Sequence, residues 1–420
     1  MKIQAPPTNT TGVRPLRAGA TAPTLRTPNE APNEAPVVRY LNALLSSAVR
    51  LRASDIHLEP QGDALRIRWR IDGHLTEAEA PPSDIKEALI SRIKVLAKLD
   101  ISERRLPQDG HIKQVHGAGG RQVEFRVSTL PTIHGEKVVV RVLDHDATNL
   151  RLDQIGLENI QLAALNKALS QPHGMILVTG PTGSGKTVTL YSCLQRLNRP
   201  EVNISTVEDP SEIRLPGITQ VNVNEKAGLN FAAVMRALLR QDPDIIMVGE
   251  VRDAETADIA IKAAQTGHLV LSTLHTNDAP SSLSRLVNMG VPAFQVATSV
   301  SLICAQRLVR RLCEHCKAPN PVSAQVQKSL GLAAANEERL FFKPVGCPNC
   351  VGGYRGRVGV FQVMPITDAI AEAMVQGQSP QAIGMLAQQA HVLTLRQAAL
   401  RKAMAGLTSI EEVISQTRDD

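Results

Sequence analysis

The eight residues GPTGSGKT, Gly180–Thr187, constrain this chain more than any other segment. They match G-x(4)-G-K-[ST] and lie directly after a strand-like apolar run, MILVT, and before a helical one, VTLYSCLQRL. In that context the pattern is a phosphate-binding loop. The residue types follow from the chemistry. Gly180, Gly183 and Gly185 let backbone N–H groups turn inward, with Pro181, Thr182 and Ser184 completing the cradle. Lys186 reaches the β- and γ-phosphates, and Thr187 offers its hydroxyl to Mg²⁺. The chain is expected to bind a nucleoside triphosphate.

Around the loop, short apolar runs alternate with helical stretches: MILVTG (175–180), NISTVED (203–209), DIIMVGE (244–250) and HLVLSTLH (268–275). That alternation predicts an α/β domain over 150–420, with a mostly parallel sheet and helices on its faces. Past residue 360 the chain reads as helices, including an amphipathic IEEVIS. Residues 37–145 read instead as a small α+β domain. VVRYLNALLSSAVRLRA has apolar residues at helical spacing, and ALRIRWRIDG alternates. Leu65, Ile67, Trp69 and Ile71 fall on one face, and Arg66, Arg68 and Arg70 on the other, so Trp69 belongs to a core. A helix over 84–99, a loop ERRLPQDG and strands near 121–128 and 136–143 complete this unit. Residues 1–36 hold seven prolines and no aromatic residue, the composition of a disordered tail.

Composition narrows the partners. Aromatic residues make up only 2% of the 420, which disfavours a protein that stacks single-stranded bases on rings. A net charge of +6 permits an acidic partner without demanding one. No apolar run approaches the ~18 residues of a membrane helix, and MKIQAPPTNT has no signal-peptide core. A soluble, cytosolic protein is expected.

Further groups fall where a P-loop sheet would place them. DIIMVGE ends in Glu250, beyond the carboxyl end of a strand, where ligands sit in open α/β folds. Glu250 is the candidate to polarise an attacking water. Gly249 stands where an aspartate is usual, so Mg²⁺ would be held through water by Glu250, or by Glu208 and Asp209 of TVEDP. His268 and His275 bracket the fourth strand and are read as a nucleotide-sensing pair. Cys313/Cys316 and Cys347/Cys350 form C-x2-C-x30-C-x2-C, two knuckles that would close a structural four-cysteine zinc site with no open position. The basic run QRLVRRLCEHCK is read as a solvated helix face or a subunit contact rather than a DNA grip. Cys193 and Cys304 are read as buried small hydrophobes in helical surroundings.

From about Val37 to the C-terminus these boxes resemble the hexameric secretion ATPases that drive type II secretion and type IV pilus assembly. The resemblance rests on GPTGSGKT, the aspartate box NISTVEDP, the Walker B segment RQDPDIIMVGEVRDAETA and the histidine box TGHLVLSTLHTNDA, in that order. The CxxC pairs and GGYRGRVGVFQVMPIT extend it. It implies a RecA-like P-loop domain, preceded by a small PAS-like α+β domain and carrying a zinc-binding subdomain over 313–350. It also implies ATP hydrolysis with Mg²⁺ and Zn²⁺, in a homohexamer that docks on an inner-membrane platform protein. The protein would then be cytoplasmic and peripherally attached to the inner membrane, with no specific nucleic acid as partner.

Stretches such as EIRLPGITQVNVNEKAGLNFAA and MGVPAFQVATSVSLICAQRLVRRLC look like the pilus-assembly, PilB-like branch. Powering type IV pilus assembly is the leading expectation. Type II secretion is the alternative, and a DNA-translocating P-loop ATPase the alternative of another class. The resemblance places arginines at Arg126 and Arg141, where the small domain closes over nucleotide. With Lys186 and Arg252 they would neutralise charge on the transferred phosphoryl group. Full-length relatives carry a further N-terminal module ahead of the position matching Val37, where only the Pro-rich tail stands here, which leaves the mode of docking open.

Overall fold

The computed structural model describes residues 35–116, 121–143, 151–332 and 340–417. The segment around 145 that should close the first domain, and nearly all of the 1–36 tail, lie outside the described residues.

The small domain opens with α1 (Pro36–Arg50), begun by a proline whose fixed φ suits a first helical turn. Strands β1 (Ala53–Gln61), β2 (Ala64–Ile71) and β3 (His74–Glu77) follow, then α2 (Lys86–Leu96). The last three strands are β4 (Gln108–His116), β5 (Arg121–Thr132) and β6 (Gly135–Leu143). The strands form one antiparallel sheet in the order β3-β2-β1-β6-β5-β4. Leu65, Ile67, Trp69 and Ile71 are all buried, as their alternation predicts, and Trp69 is fully enclosed. They pack with Phe125, Val127 and Val140 of the sheet against Leu41, Leu44 and Leu45 of α1 and Ile93 of α2. β4 starts inside the stretch predicted as a loop. Gln108, Asp109 and Gly110 look like turn residues locally, yet pair with Thr129, Ser128 and Val127 of β5. Gly110 is there for close approach, since a Cβ would stand 2.4 Å from the carbonyl oxygen of Ala97.

The second domain runs α3 (Asn159–Leu169), β7 (Gly174–Thr179), α4 (Lys186–Leu197), β8 (Ile204–Glu208), β9 (Thr219–Asn222) and α5 (Phe231–Leu238). It continues with β10 (Ile245–Val248), α6 (Ala254–Gln265), β11 (Leu269–Leu274), α7 (Ala279–Asn288), α8 (Ala293–Ser299) and β12 (Val300–Leu312). A cysteine-bearing excursion carries β13 (Ala318–Asn320), α9 (Ala324–Ser329) and β14 (Phe341–Lys343). The chain re-enters the sheet as β15 (Tyr354–Pro365) and ends in α10 (Asp368–Val375), α11 (Pro380–Gln389), α12 (Leu395–Met404) and α13 (Ile410–Gln416).

The sheet order is β15-β12-β7-β11-β10-β8-β9, parallel throughout except for the β12–β15 pair. One face packs on α3 and α4 through Leu165, Leu190 and Tyr191. The other packs on α5 to α8 and the C-terminal helices through Met235, Ile261, Leu283, Ile370 and Leu400. An α/β fold of this kind is what the alternation predicts.

Two expectations are corrected here. The basic run QRLVRR and Cys304 lie on strand β12, not on a helix. Its first half is buried on both faces, so it lacks the alternation that marks a half-exposed strand. Cys193 is helical as expected, and both thiols are buried.

Candidate active site and cysteine cluster

Parallel pairing puts the carboxyl ends of β7, β8, β10 and β11 along one edge of the sheet, and the chemistry-bearing residues follow those ends. Gly180 takes the chain off β7 at φ 146°, and Gly185, at φ 90°, caps α4. Ser184, Lys186 and Thr187 thus surround a helix N-terminus, where backbone N–H groups and the helix dipole favour an anion. Lys186 Nζ donates to the carbonyl oxygens of Gly180 (2.9 Å) and Pro181 (3.1 Å). Desolvation holds its pKa below the ordinary lysine value, against the pull of Glu250 and with the help of Arg307.

Beyond β10, Gly249 donates its N–H to Val207 O at 2.8 Å and accepts from Thr273 Oγ1 at 2.8 Å. A Cβ there would stand 3.3 Å from Val207 O, a tight approach that favours glycine at this position. Glu250 follows, half-buried. It accepts from Arg252 Nε at 2.6 Å and lies 3.1 Å from His275 Nε2. Burial alone would raise the pKa of Glu250, but the hydrogen bond and charge of Arg252, then His275, hold it below the usual carboxylate range. Arg252 also reaches Asp209 Oδ2 at 3.2 Å and lies over the Phe231 ring. Asp209, Arg252, Glu250 and His275 therefore form one chain of contacts along the edge.

The sequence brackets β11 with two histidines, but strand polarity separates them. His275 leaves the carboxyl end beside Glu250, whereas His268 precedes the strand at the other end, with Nδ1 3.1 Å from Ala263 O. The structure does not bring the pair together. Glu208 and Asp209 also differ, although adjacent. Glu208 is buried, and its oxygens accept from Tyr191 Oη, Thr206 Oγ1 (2.7 Å) and Gln220 Nε2 (3.0 Å). Asp209 faces the edge and Arg252.

Arg126 and Arg141 sit directly opposite each other on β5 and β6. Like charges in that register repel. Asp55 on β1 relieves part of this by accepting from Arg141 Nε at 3.0 Å, while Arg126 Nε is buried with no hydrogen-bond partner among the described residues. Across the domain boundary, desolvation raises the pKa of Glu212 against the opposing charges of Arg141 and then Arg126. The arginines therefore face the loop after β8. The domains also touch where Asp72 Oδ2 accepts from the Gly356 amide at 2.7 Å.

Residues that sequence reasoning missed lie on β12. Arg307 donates to Asn277 O at 2.8 Å and is close enough to Lys186 to lower its pKa. Gln306, fully buried, donates to Ser184 O and accepts from Thr189 Oγ1. The signal is present in QRLVRR, but a strand whose first half is buried on both faces has no alternation to reveal it.

The four remaining cysteines converge. Their sulfurs all lie within 4.8 Å of one another, with neighbouring pairs at 3.6–3.8 Å. Four thiolates about 2.3 Å from a tetrahedral zinc would be spaced about 3.8 Å apart. Backbone amides of Gly346 and Cys347 point at Cys316 Sγ (3.3 Å) and Cys350 Sγ (3.2 Å), the support a knuckle gives its thiolates. The donor set fits zinc.

Comparison with known proteins gives the family and the fold. The sequence family described as Type II/IV secretion system protein matches residues 30–415. A type IV pilus assembly ATPase of Acinetobacter baylyi is 51% identical over 91% of this chain and 66% of its own length. Another, from Pseudomonas aeruginosa, is 50% identical over 92% of this chain and 68% of its own. A type II secretion system protein E of Pectobacterium carotovorum is 48% identical over 93% and 78%. The chain thus spans about two thirds of the length of the pilus-assembly relatives. Among solved structures, the Legionella pneumophila ATPase DotB superposes with a TM-score of 0.67 at 21% identity, covering 92% of this chain and 97% of that one. The pilus retraction motor PilT, solved with ADP, gives 0.60 at 25% identity, covering 90% and 96%.

Proposed function

This chain belongs to the Type II/IV secretion system protein family, and from that premise we propose that it is an ATPase that powers type IV pilus assembly at the inner membrane. The observation that carries the chemistry is the edge of the parallel sheet, where Lys186, opening α4 after β7, and Glu250, after β10, lie on either side of β11 within electrostatic reach. ATP would lay its phosphates on the N-terminus of α4. Lys186 would then exchange the carbonyls of Gly180 and Pro181 for β- and γ-phosphate oxygens. Thr187 and the nearby acidic groups would hold Mg²⁺, which supplies charge neutralisation on the phosphates when bound. Glu250, kept ionised at neutral pH, takes a proton from the attacking water.

Arg126 and Arg141 supply positive charge from the small domain. Their mutual repulsion across β5–β6 is relieved by an anion, so nucleotide favours closure of the two domains and loss of the γ-phosphate weakens it. That cycle converts hydrolysis into movement. In this reading the working unit is a homohexamer, peripherally attached to a membrane platform protein from the cytoplasmic side. No described helix is long and apolar enough to cross a membrane. Zn²⁺ on Cys313, Cys316, Cys347 and Cys350 is structural.

The near-equal identities to pilus-assembly and type II secretion relatives, 51% and 48%, keep protein export as the second reading. A chromosomal deletion scored for surface pili and for secreted exoproteins separates the two. Loss of pili with normal exoproteins is expected, and the reverse would overturn the assignment. ATPase assays with and without DNA test the translocase alternative, which a large stimulation would favour.

A further inference from the structure

The phosphate-binding loop is fastened from below by a residue that no part of the nucleotide reading uses. β12 lies parallel to β7, with Ala305 opposite Thr179, so the next residues, Gln306 and Gly180, meet where the loop begins. Gln306 is 1% exposed. Its Nε2 donates to Ser184 O at 2.6 Å, and its Oε1 accepts from Thr189 Oγ1 at 2.8 Å. The two bonds fix the amide's orientation, because a carbonyl oxygen can only accept. They also tie two places together: Ser184 in the middle of the loop and Thr189 on the first turn of α4. The fit is close on every side. A Cβ on Gly180 would stand 2.5 Å from Gln306 O, and one on Gly185 would stand 3.2 Å from Gln306 Nε2.

We propose that Gln306 is a positioning residue for nucleotide binding: its amide holds the Ser184 carbonyl down so that the loop's N–H groups converge on the phosphates. It touches no phosphate itself. A peptide unit whose C=O is pinned inward must present its N–H to the opposite side, and the Ser184 carbonyl shares its peptide plane with the N–H of Gly185. Pinning that plane aims one cradle donor directly and limits the others through α4. The proposal rests on the nucleotide reading of this loop.

The test uses the full chain and Mg·ADP as probe, with affinity measured by titration calorimetry. Gln306→Leu keeps the volume near that of glutamine but leaves Ser184 O and Thr189 Oγ1 without partners. It should weaken Mg·ADP binding roughly tenfold or more, the scale set by one buried polar group left unsatisfied. Thr189→Val frees the amide to turn and should weaken binding less. The double variant should be no worse than Gln306→Leu alone, since both act through one network. Gln306→Glu separates positioning from mere packing. An ionised carboxylate repels Ser184 O, whereas a protonated one can donate to it, so affinity in this variant should recover toward the wild type as pH falls.

Wild-type affinity in both Gln306→Leu and Thr189→Val would overturn the proposal, as would a Gln306→Glu variant that shows no recovery at low pH. If Gln306→Leu fails to fold, Thr189→Val decides, and unchanged affinity there overturns it. A wild-type chain that does not bind Mg·ADP would overturn the nucleotide reading and the proposal together.

Discussion

Lys186 donates to carbonyl oxygens of its own loop, a resting state that phosphate must displace. The Lys186→Ala variant would face phosphate without its main side-chain counter-charge. Turnover should fall on the order of 10²-fold or more, the loss seen when one preorganised donor is removed from a site of developing charge. Phosphate-release assays beside Mg·ATP binding measure this, and wild-type values in both would exclude Lys186 from the site. Glu250 makes a sharper test. Arg252 and His275 keep its carboxyl ionised, and a carboxamide cannot take up a proton from water. Glu250→Gln should therefore keep Mg·ATP binding while turnover falls by about 10²–10⁴-fold. Normal turnover in that variant would assign the base elsewhere. These two residues were legible in the sequence because each follows a strand end that apolar runs mark. The split of His268 from His275 was not, since bracketing a strand says nothing about which of its ends carries the site.

At the scale of elements, α2, the following loop and β6 meet on one buried ion pair. Lys94 Nζ lies 2.8 Å from Glu136 Oε1 and donates to Glu103 O at 2.7 Å, with side-chain exposures of 1% and 6% for the ionic partners. Removing one partner strands a buried charge, so Glu136→Ala should destabilise the small domain by about 3–5 kcal/mol. Glu136→Gln, which keeps an acceptor, should cost less. The only tryptophan of the chain, Trp69, is buried in this domain's core, so its fluorescence during urea unfolding reports this domain in particular. Equal midpoints for wild type and Glu136→Ala would contradict the reading.

The cysteine cluster is the second element-scale test. About one zinc per chain should be found by metal analysis, and Cys347→Ser should lose it and loosen the segment, because structural zinc binding is also folding energy. Folded protein free of zinc would contradict this. The spacing of the CxxC pairs was enough to foresee the cluster. Strand β12 was harder to see. Its first half is buried on both faces, and Arg310 is accommodated near the strand's end by Glu412 and the Tyr354 ring. A central strand that satisfies its arginines through distant partners has no periodicity of its own to read.

Over the whole molecule, the proposed function depends on two domains meeting at one anion. In that reading the parallel sheet supplies the loop, the proposed base Glu250 and the helix dipole. The small domain supplies Arg126 and Arg141, opposed across two strands and near Glu212 of the other domain. In sequence these arginines are two residues on alternating strands, and composition gives them no distinction. Their significance comes from register, which places like charges face to face, and from domain placement. Arg141 is exposed and pairs with Asp55, whereas Arg126 keeps a buried Nε with no hydrogen-bond partner among the described residues. An anionic ligand that both domains share would satisfy it. An arginine finger is worth about 10³–10⁵ in turnover, and two arginines sharing the task leave some redundancy.

The most direct measurement is therefore the steady-state ATPase rate of Arg126→Ala and Arg141→Ala beside the wild type, with circular dichroism and gel filtration confirming folding and assembly. Each variant is expected to lose at least roughly a hundredfold in turnover while remaining folded and assembled. Hydrolysis at close to the wild-type rate in both would contradict the two-domain clamp and confine catalysis to the P-loop domain.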